Sequence, residues 1–156
     1  MFGRIMMTNA EELSQVALFE QISNEQRARI AEIAEEKHFT QGELIFREGT
    51  GAEHIYVLLD GKVTIRVHLT SRPENLTVSV INQAHQSFGW SGIVSPYHFT
   101  ASAQCETDCR LFAIPGKKLL EILKMEPESG FYVMCKISEM ISSRLRSSRQ
   151  VLLKSL

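Results

Sequence analysis

The chain has 156 residues, 44% of them hydrophobic, with 17 Lys+Arg against 18 Asp+Glu and a formal net charge of −1. That length suits one domain burying roughly 70% of its unfolded surface, and the balanced charge excludes a global electrostatic footprint for nucleic acid or an acidic membrane. No apolar run approaches the ~18 residues of a membrane span, residues 1–7 are too short for a secretory signal, and the three cysteines are a sparse, odd set, so a cytoplasmic location is expected.

Two helical pieces open the chain. The first is predicted over 10–20; Ser23 then caps a second, with Gln26 completing a capping box and Ile30, Ile33 and Ala34 as its buried stripe, ending near Glu36. From His38 the period changes to two, and turn residues recur at Gln41-Gly42, Gly49-Thr50-Gly51, Asp60-Gly61, 71–75, 83–86 and Glu106-Thr107-Asp108. Between them lie Leu44-Ile45-Phe46, Ile55-Tyr56-Val57-Leu58-Leu59, the alternating Val63, Ile65 and Val67, and 76–81. Asp60-Gly61 reads as a hairpin turn. Seven or eight short strands make a sandwich, barrel or jelly roll. The helical period returns after Ile114-Pro115: a helix over 116–125, a break at 127–130, and a long amphipathic helix over 131–153. A single domain over 1–156 follows, with amino-terminal helices over 8–36, a β-roll over 37–114 and carboxy-terminal helices over 116–155.

The most telling stretch is Phe88-Gly89-Trp90-Ser91-Gly92-Ile93-Val94, followed by Ser95-Pro96-Tyr97-His98-Phe99-Thr100-Ala101. A glycine opens a turn whose backbone N–H groups point one way, and a run of small residues returns beside it, the shape of an anion cradle. No Arg or Lys lies between Phe88 and Cys109 to neutralise a phosphate.

Three segments carry a family resemblance: Leu18-Phe19 with Ile22 and Ser23, the run Gln41-Gly42-Glu43-Leu44-Ile45-Phe46-Arg47-Glu48-Gly49, and Ile55-Tyr56-Val57-Leu58-Leu59-Asp60-Gly61-Lys62-Val63. With the order helix, strands, glycine turn, strands, long helix, the chain from Leu18 to about Gln150 resembles the cyclic-nucleotide-binding domain of the catabolite activator protein family. The resemblance implies a mainly β fold, a double-stranded β-roll or jelly roll with flanking helices and a long C-terminal helix. It also implies a phosphate-binding cassette of glycine, glutamate and arginine. The glycine falls on Gly89, but Trp90 stands at the glutamate position and Phe99, before Thr100-Ala101, at the arginine position. Neither accepts from a ribose hydroxyl or offers a guanidinium fork to a phosphate. Weak or no binding of cyclic AMP and cyclic GMP follows. The remaining donors are the backbone around Trp90, Ser91 and Gly92 and the hydroxyls of Ser91 and Thr100.

Two explanations stand for this divergent Gly-Trp-Ser cassette: a pocket refitted for a nucleotide-like or small aromatic effector, or a pocket filled by its own side chains in a ligand-free dimerisation or scaffolding module. A third alternative is a haem-based sensor, since some relatives bind haem near the position of His98. The resemblance further implies a homodimer through the long helix, whose polar residues reach the ligand; Ser148 and Arg149 fall near those positions. The candidate ligand-binding set is therefore Phe88, Gly89, Trp90, Ser91, Gly92, Phe99, Thr100, Ala101, Ser148 and Arg149. A small molecule there would shift the contact between β-roll and long helix.

Other residues read more plainly. Cys105 and Cys109 flank the tip 106–108 and either face each other as a redox-sensitive pair or are small buried hydrophobes; no cysteine or histidine spacing suits a metal. Gly89-Trp90-Ser91-Gly92 is one residue short of a nucleophile elbow, so no enzyme is expected. Lys136, Arg144, Arg146, Arg149 and Lys154 suit the macrodipole of the last helix. The chain stops before a helix-turn-helix, so a stand-alone regulatory module without nucleic-acid or membrane partners is expected.

Overall fold

Alternation of apolar and polar residues produces the sheets, and a computed structural model describes residues 7–71 and 74–155. Of the segments read above, 1–6 and Arg72-Pro73 lie outside the described residues. The strands are β1 (Glu35–Phe39), β2 (Leu44–Phe46), β3 (His54–Asp60), β4 (Val63–His68), β5 (Asn75–Ile81), β6 (Ser87–Phe88), β7 (Ser102–Cys105) and β8 (Cys109–Pro115). They form two four-stranded antiparallel sheets, ordered β1-β8-β3-β6 and β2-β7-β4-β5. This is the expected β-roll with flanking helices.

The centre of the first sheet, β3 and β8, is buried on both faces. Ile55, Val57 and Leu59 of β3 with Phe112 and Ile114 of β8 pack under the helices, while Leu58 and Leu111 point into the roll with Val63, Ile65, Phe88 and Ala103. That is why β3 and β8 read as continuous apolar runs.

Several local expectations change. The first helix, α1, spans only Asn9–Ser14, with Thr8 and Glu11 forming a reciprocal capping box, and a 3-10 turn follows at Ala17–Phe19. Helix α2 spans Asn24–Ile33, so the helix does not reach Glu36: Glu35 already begins β1, an edge strand whose exposed Glu35, Glu36 and Lys37 give no alternation to read. Ser23 Oγ accepts from Gln26 N at 3.1 Å, but the Gln26 side chain donates to Ile122 O at 2.6 Å, so the reciprocal half of that capping box is absent. Asp60-Gly61 is not a hairpin: β3 and β4 belong to different sheets, and Gly61, at φ +112°, turns the chain from one to the other. Likewise 106–108 carries the chain from β7 to β8 across sheets.

Helix α3 spans Gly116–Met125 as expected, whereas α4 runs Pro127–Lys154 through the expected break. Pro127 is tolerated in the first helical turn, where its missing N–H has no helical partner to lose, and Gly130 packs close to Leu123. Among the described residues no helix is long and apolar enough to cross a membrane.

Candidate functional site

The cassette begins where β6 pairs with β3, Phe88 opposite Tyr56. Gly89 takes φ +78°, ψ +40°, and a 3-10 turn, Trp90–Gly92, follows. A side chain at Gly89 would be strained by that backbone and would meet the rings of Tyr56 and Phe46 at 3.0 and 3.2 Å. The turn consumes part of its own donor set: Gly92 N donates to Gly89 O at 3.2 Å and Ile93 N to Trp90 O at 2.9 Å. The anion cradle expected from the backbone is correspondingly reduced.

The returning segment is pinned at Phe99, whose N donates to Thr50 O (2.9 Å) and whose O accepts from Gly49 N (2.8 Å). Its ring lies flat on Phe46, centroids 3.8 Å apart and planes 8° from parallel. Phe46 in turn neighbours Tyr56 at 5.6 Å and Phe88 at 6.1 Å. Phe99 is 6% exposed and Trp90 9%.

Helix α4 closes the site. The Arg144 guanidinium carbon sits 4.6 Å from the Trp90 ring centroid, a cation–π distance. Burial lowers the Arg144 pKa to about 10, and the side chain stays cationic at neutral pH. Among the described residues its guanidinium has no carboxylate or hydrogen-bond acceptor.

Gly89, Trp90, Ser91, Phe99, Thr100 and Ala101 come together with Phe46 and Arg144 around a cavity of about 10 Å³. That is room for about one water, against several hundred Å³ for a ligand pocket. The other four candidates do not line it. Phe88 is buried in the roll interior behind Phe46. Gly92 is there for close packing, since a Cβ would lie 2.3 Å from His54 O. Ser148 and Arg149 lie farther along α4, Arg149 exposed. Arg144 is the residue that was missed. Val133 and Ile137 are buried, Met140 packs beside them, and the next position at helical spacing is Arg144; a charged residue on an inward stripe was the available signal.

The thiols of Cys105 and Cys109 are both buried and free. Burial, then the neighbouring Cys109, pushes the Cys105 thiol up to about 12, which fits the buried-hydrophobe reading. His98 is exposed, its ring Nδ1 2.9 Å from Pro96 O. Among the described residues no three His, Cys, Asp or Glu side chains gather as metal ligands.

The model of the cyclic nucleotide-binding domain matches residues 36–126. A Geobacter metallireducens GS-15 protein described as cyclic nucleotide-binding is 31% identical, with 90% of this chain and 99% of that chain covered and a TM-score of 0.75. The sensor domain of the transcriptional regulator DNR from Pseudomonas aeruginosa is 22% identical over 86% of this chain and 89% of its own, with a TM-score of 0.73. The regulatory domain of Toxoplasma gondii PKA, solved with cAMP, is 18% identical over 74% of this chain and 43% of its own, with a TM-score of 0.67. No curated protein matches the chain.

Proposed function

The chain belongs to the cyclic nucleotide-binding domain family, and from that premise we propose a non-enzymatic, cytoplasmic regulatory module whose cassette is filled by its own side chains and binds cyclic AMP and cyclic GMP weakly or not at all. The observation that carries this reading is the cavity of about 10 Å³ left between the Phe46–Phe99 stack and the Trp90–Arg144 pair. A nucleotide would have to unstack two buried rings and lift α4 away from the indole. In exchange it would meet a phenyl ring and an indole where the family's cassette offers a guanidinium and a carboxylate. Each missing charge-assisted contact is worth roughly 1.5–3 kcal/mol, or about one to two decades in affinity.

Helix α4 is the output element in this reading and the surface of a homodimer. Support comes from its outward side, where Phe131 is 74% and Leu145 69% exposed, with Met134 and Leu152 also exposed on the same heptad stripe. Calorimetric titration with cyclic AMP and cyclic GMP tests the first part: no saturable heat is expected up to ~1 mM, and a micromolar Kd overturns it. Light scattering tests the second, with a dimer expected for the wild type and a monomer for Leu145→Asp. A wild-type monomer removes the role given to α4.

A further inference from the structure

Helix α4 changes charge along its 28 residues. After the N-cap Glu126, its first half carries Glu128 and Glu139 against Lys136, and its second half carries Arg144, Arg146, Arg149 and Lys154 against no acid. Some of these charges are used within the chain: Glu126 accepts from Ser23 Oγ at 2.8 Å, Glu139 has Lys136 Nζ at 3.4 Å, and Arg144 covers Trp90. Glu128 and Arg149, near opposite ends, are exposed and have no ion pair or hydrogen bond among the described residues. The helix macrodipole acts only within the terminal turns, so it accounts for Glu128 and Lys154 but not for Arg149. Beside the amino end lies an apolar groove of about 280 Å³ between α3 and α4, lined by Leu120, Leu123, Lys124, Pro127, Gly130 and Met134.

We infer that a second copy of this chain covers this face with its own α4 running antiparallel, a two-fold axis passing between Glu139 and Met140. The inference rests on the homodimer reading and fixes the direction of the pairing. With Phe131 at position a of the heptad, antiparallel a–d layers set Phe131 against Ser148 of the second copy, Met134 against its Leu145, Ser138 against its Ile141 and Pro127 against its Leu152. Each serine then meets a large apolar side chain. Parallel helices set every position against itself, stacking Ser138 on Ser138, Ser148 on Ser148 and Phe131 on Phe131, with large and small residues unmatched.

The layer of Pro127 with Leu152 brings an exposed leucine to the α3–α4 groove, so groove and leucine cover one another at both ends of the dimer. The flanking charges separate the two directions more sharply. In the antiparallel arrangement e faces e, and Glu128 meets Arg149 of the second copy, twice by symmetry. In the parallel arrangement g faces the e position five residues on, so Arg144 meets Arg149 and both pairs repel.

Two measurements on the full chain decide the direction. Cys105 and Cys109 are buried, so with the exposed Cys135 replaced by serine a nitroxide can be placed selectively at Gln150→Cys. Antiparallel helices hold the two labels about 30 Å apart along the axis, at about 1.5 Å per residue, whereas parallel helices hold them level and within roughly two helix diameters, about 25 Å. Dipolar electron spin resonance is expected to give a distance above about 30 Å. In sedimentation, Arg149→Glu should raise the dimer Kd about five- to tenfold, the scale of two exposed ion pairs reversed, and adding Glu128→Arg should bring it back.

A parallel dimer gives the opposite sign, since Arg149→Glu would turn its Arg144–Arg149 repulsion into attraction. A label distance below about 25 Å, or a dimer tightened by Arg149→Glu, overturns the antiparallel direction and leaves the homodimer reading standing. A wild-type chain that sediments as a monomer overturns both.

Discussion

Replacing Phe99 by alanine measures whether the cassette is packed interior or vacated pocket. The ring is 6% exposed and stacked at 3.8 Å on Phe46, and its own backbone is tied to Gly49 and Thr50, which holds the segment in place when the ring is removed. Phe→Ala in a well-packed interior costs about 3–5 kcal/mol, and a site that cannot collapse belongs in the upper half of that range. At ~2–4 °C per kcal/mol for a domain of this size, a loss of ~4 kcal/mol lowers the Tm by roughly 8–16 °C.

With an m-value of ~2 kcal/mol/M, the same loss lowers the urea midpoint by about 2 M without changing the slope. Phe99→Leu should fall between the two proteins. The vacated space would lie flat against the ring of Phe46, an apolar void of the kind that takes up an apolar solute. Toluene should therefore raise the Tm of Phe99→Ala and not that of the wild type. A cost under about 1 kcal/mol would mean that the ring lines an adaptable pocket, and the filled-cassette argument would fail.

A Cβ at Gly116 would lie 1.9 Å from Gly92 O, and one at Gly92 2.3 Å from His54 O, so Gly116→Ala and Gly92→Ala should each cost at or above the upper end of the ~1–3 kcal/mol typical of overpacking. Thermal melts that leave either variant at the wild-type Tm would contradict that geometry. The Cys105 thiol, raised from 9.0 to about 12 by burial and by Cys109, keeps its proton in the folded chain where the unfolded chain loses it. Stability should therefore decline as pH rises above about 9 and level off near 12. Urea midpoints at pH 8 and 10 should differ by less in Cys105→Ala than in the wild type; equal differences would remove Cys105 as the cause.

The roll was legible because its inner faces alternate and its turns carry glycine: Val63, Ile65 and Val67 needed only the period of two, and α3 was read to its last residue. What failed to show has local causes. Glu35, Glu36 and Lys37 sit on an edge strand in water, so no burial pattern marks them as a strand rather than the end of α2. The Asp60-Gly61 turn serves a corner between sheets as well as it serves a hairpin, and the difference is fixed by which strand pairs with β3, a long-range fact. In the cassette, the loss of the family's glutamate and arginine was visible in Trp90 and Phe99, but their fate depended on partners far away in sequence. Phe46 stacks on one and Arg144 covers the other, and both distances belong to the tertiary structure.

The contact of Gly92 with Gly116 is backbone against backbone, with no side chain between to yield. The cassette turn therefore has a rigid mechanical link to the amino terminus of α3, strengthened by Gly116 N donating to Glu53 O at 2.8 Å. A side chain in that gap would act as a spring and absorb a small displacement; bare peptide groups pass it on, because close-packed contacts have little compressibility. Any rearrangement that shifts residues 89–92 must push α3 or break this contact. The turn thus has a stiff lever arm to the carboxy-terminal helices that does not run through the grip of Arg144 on Trp90.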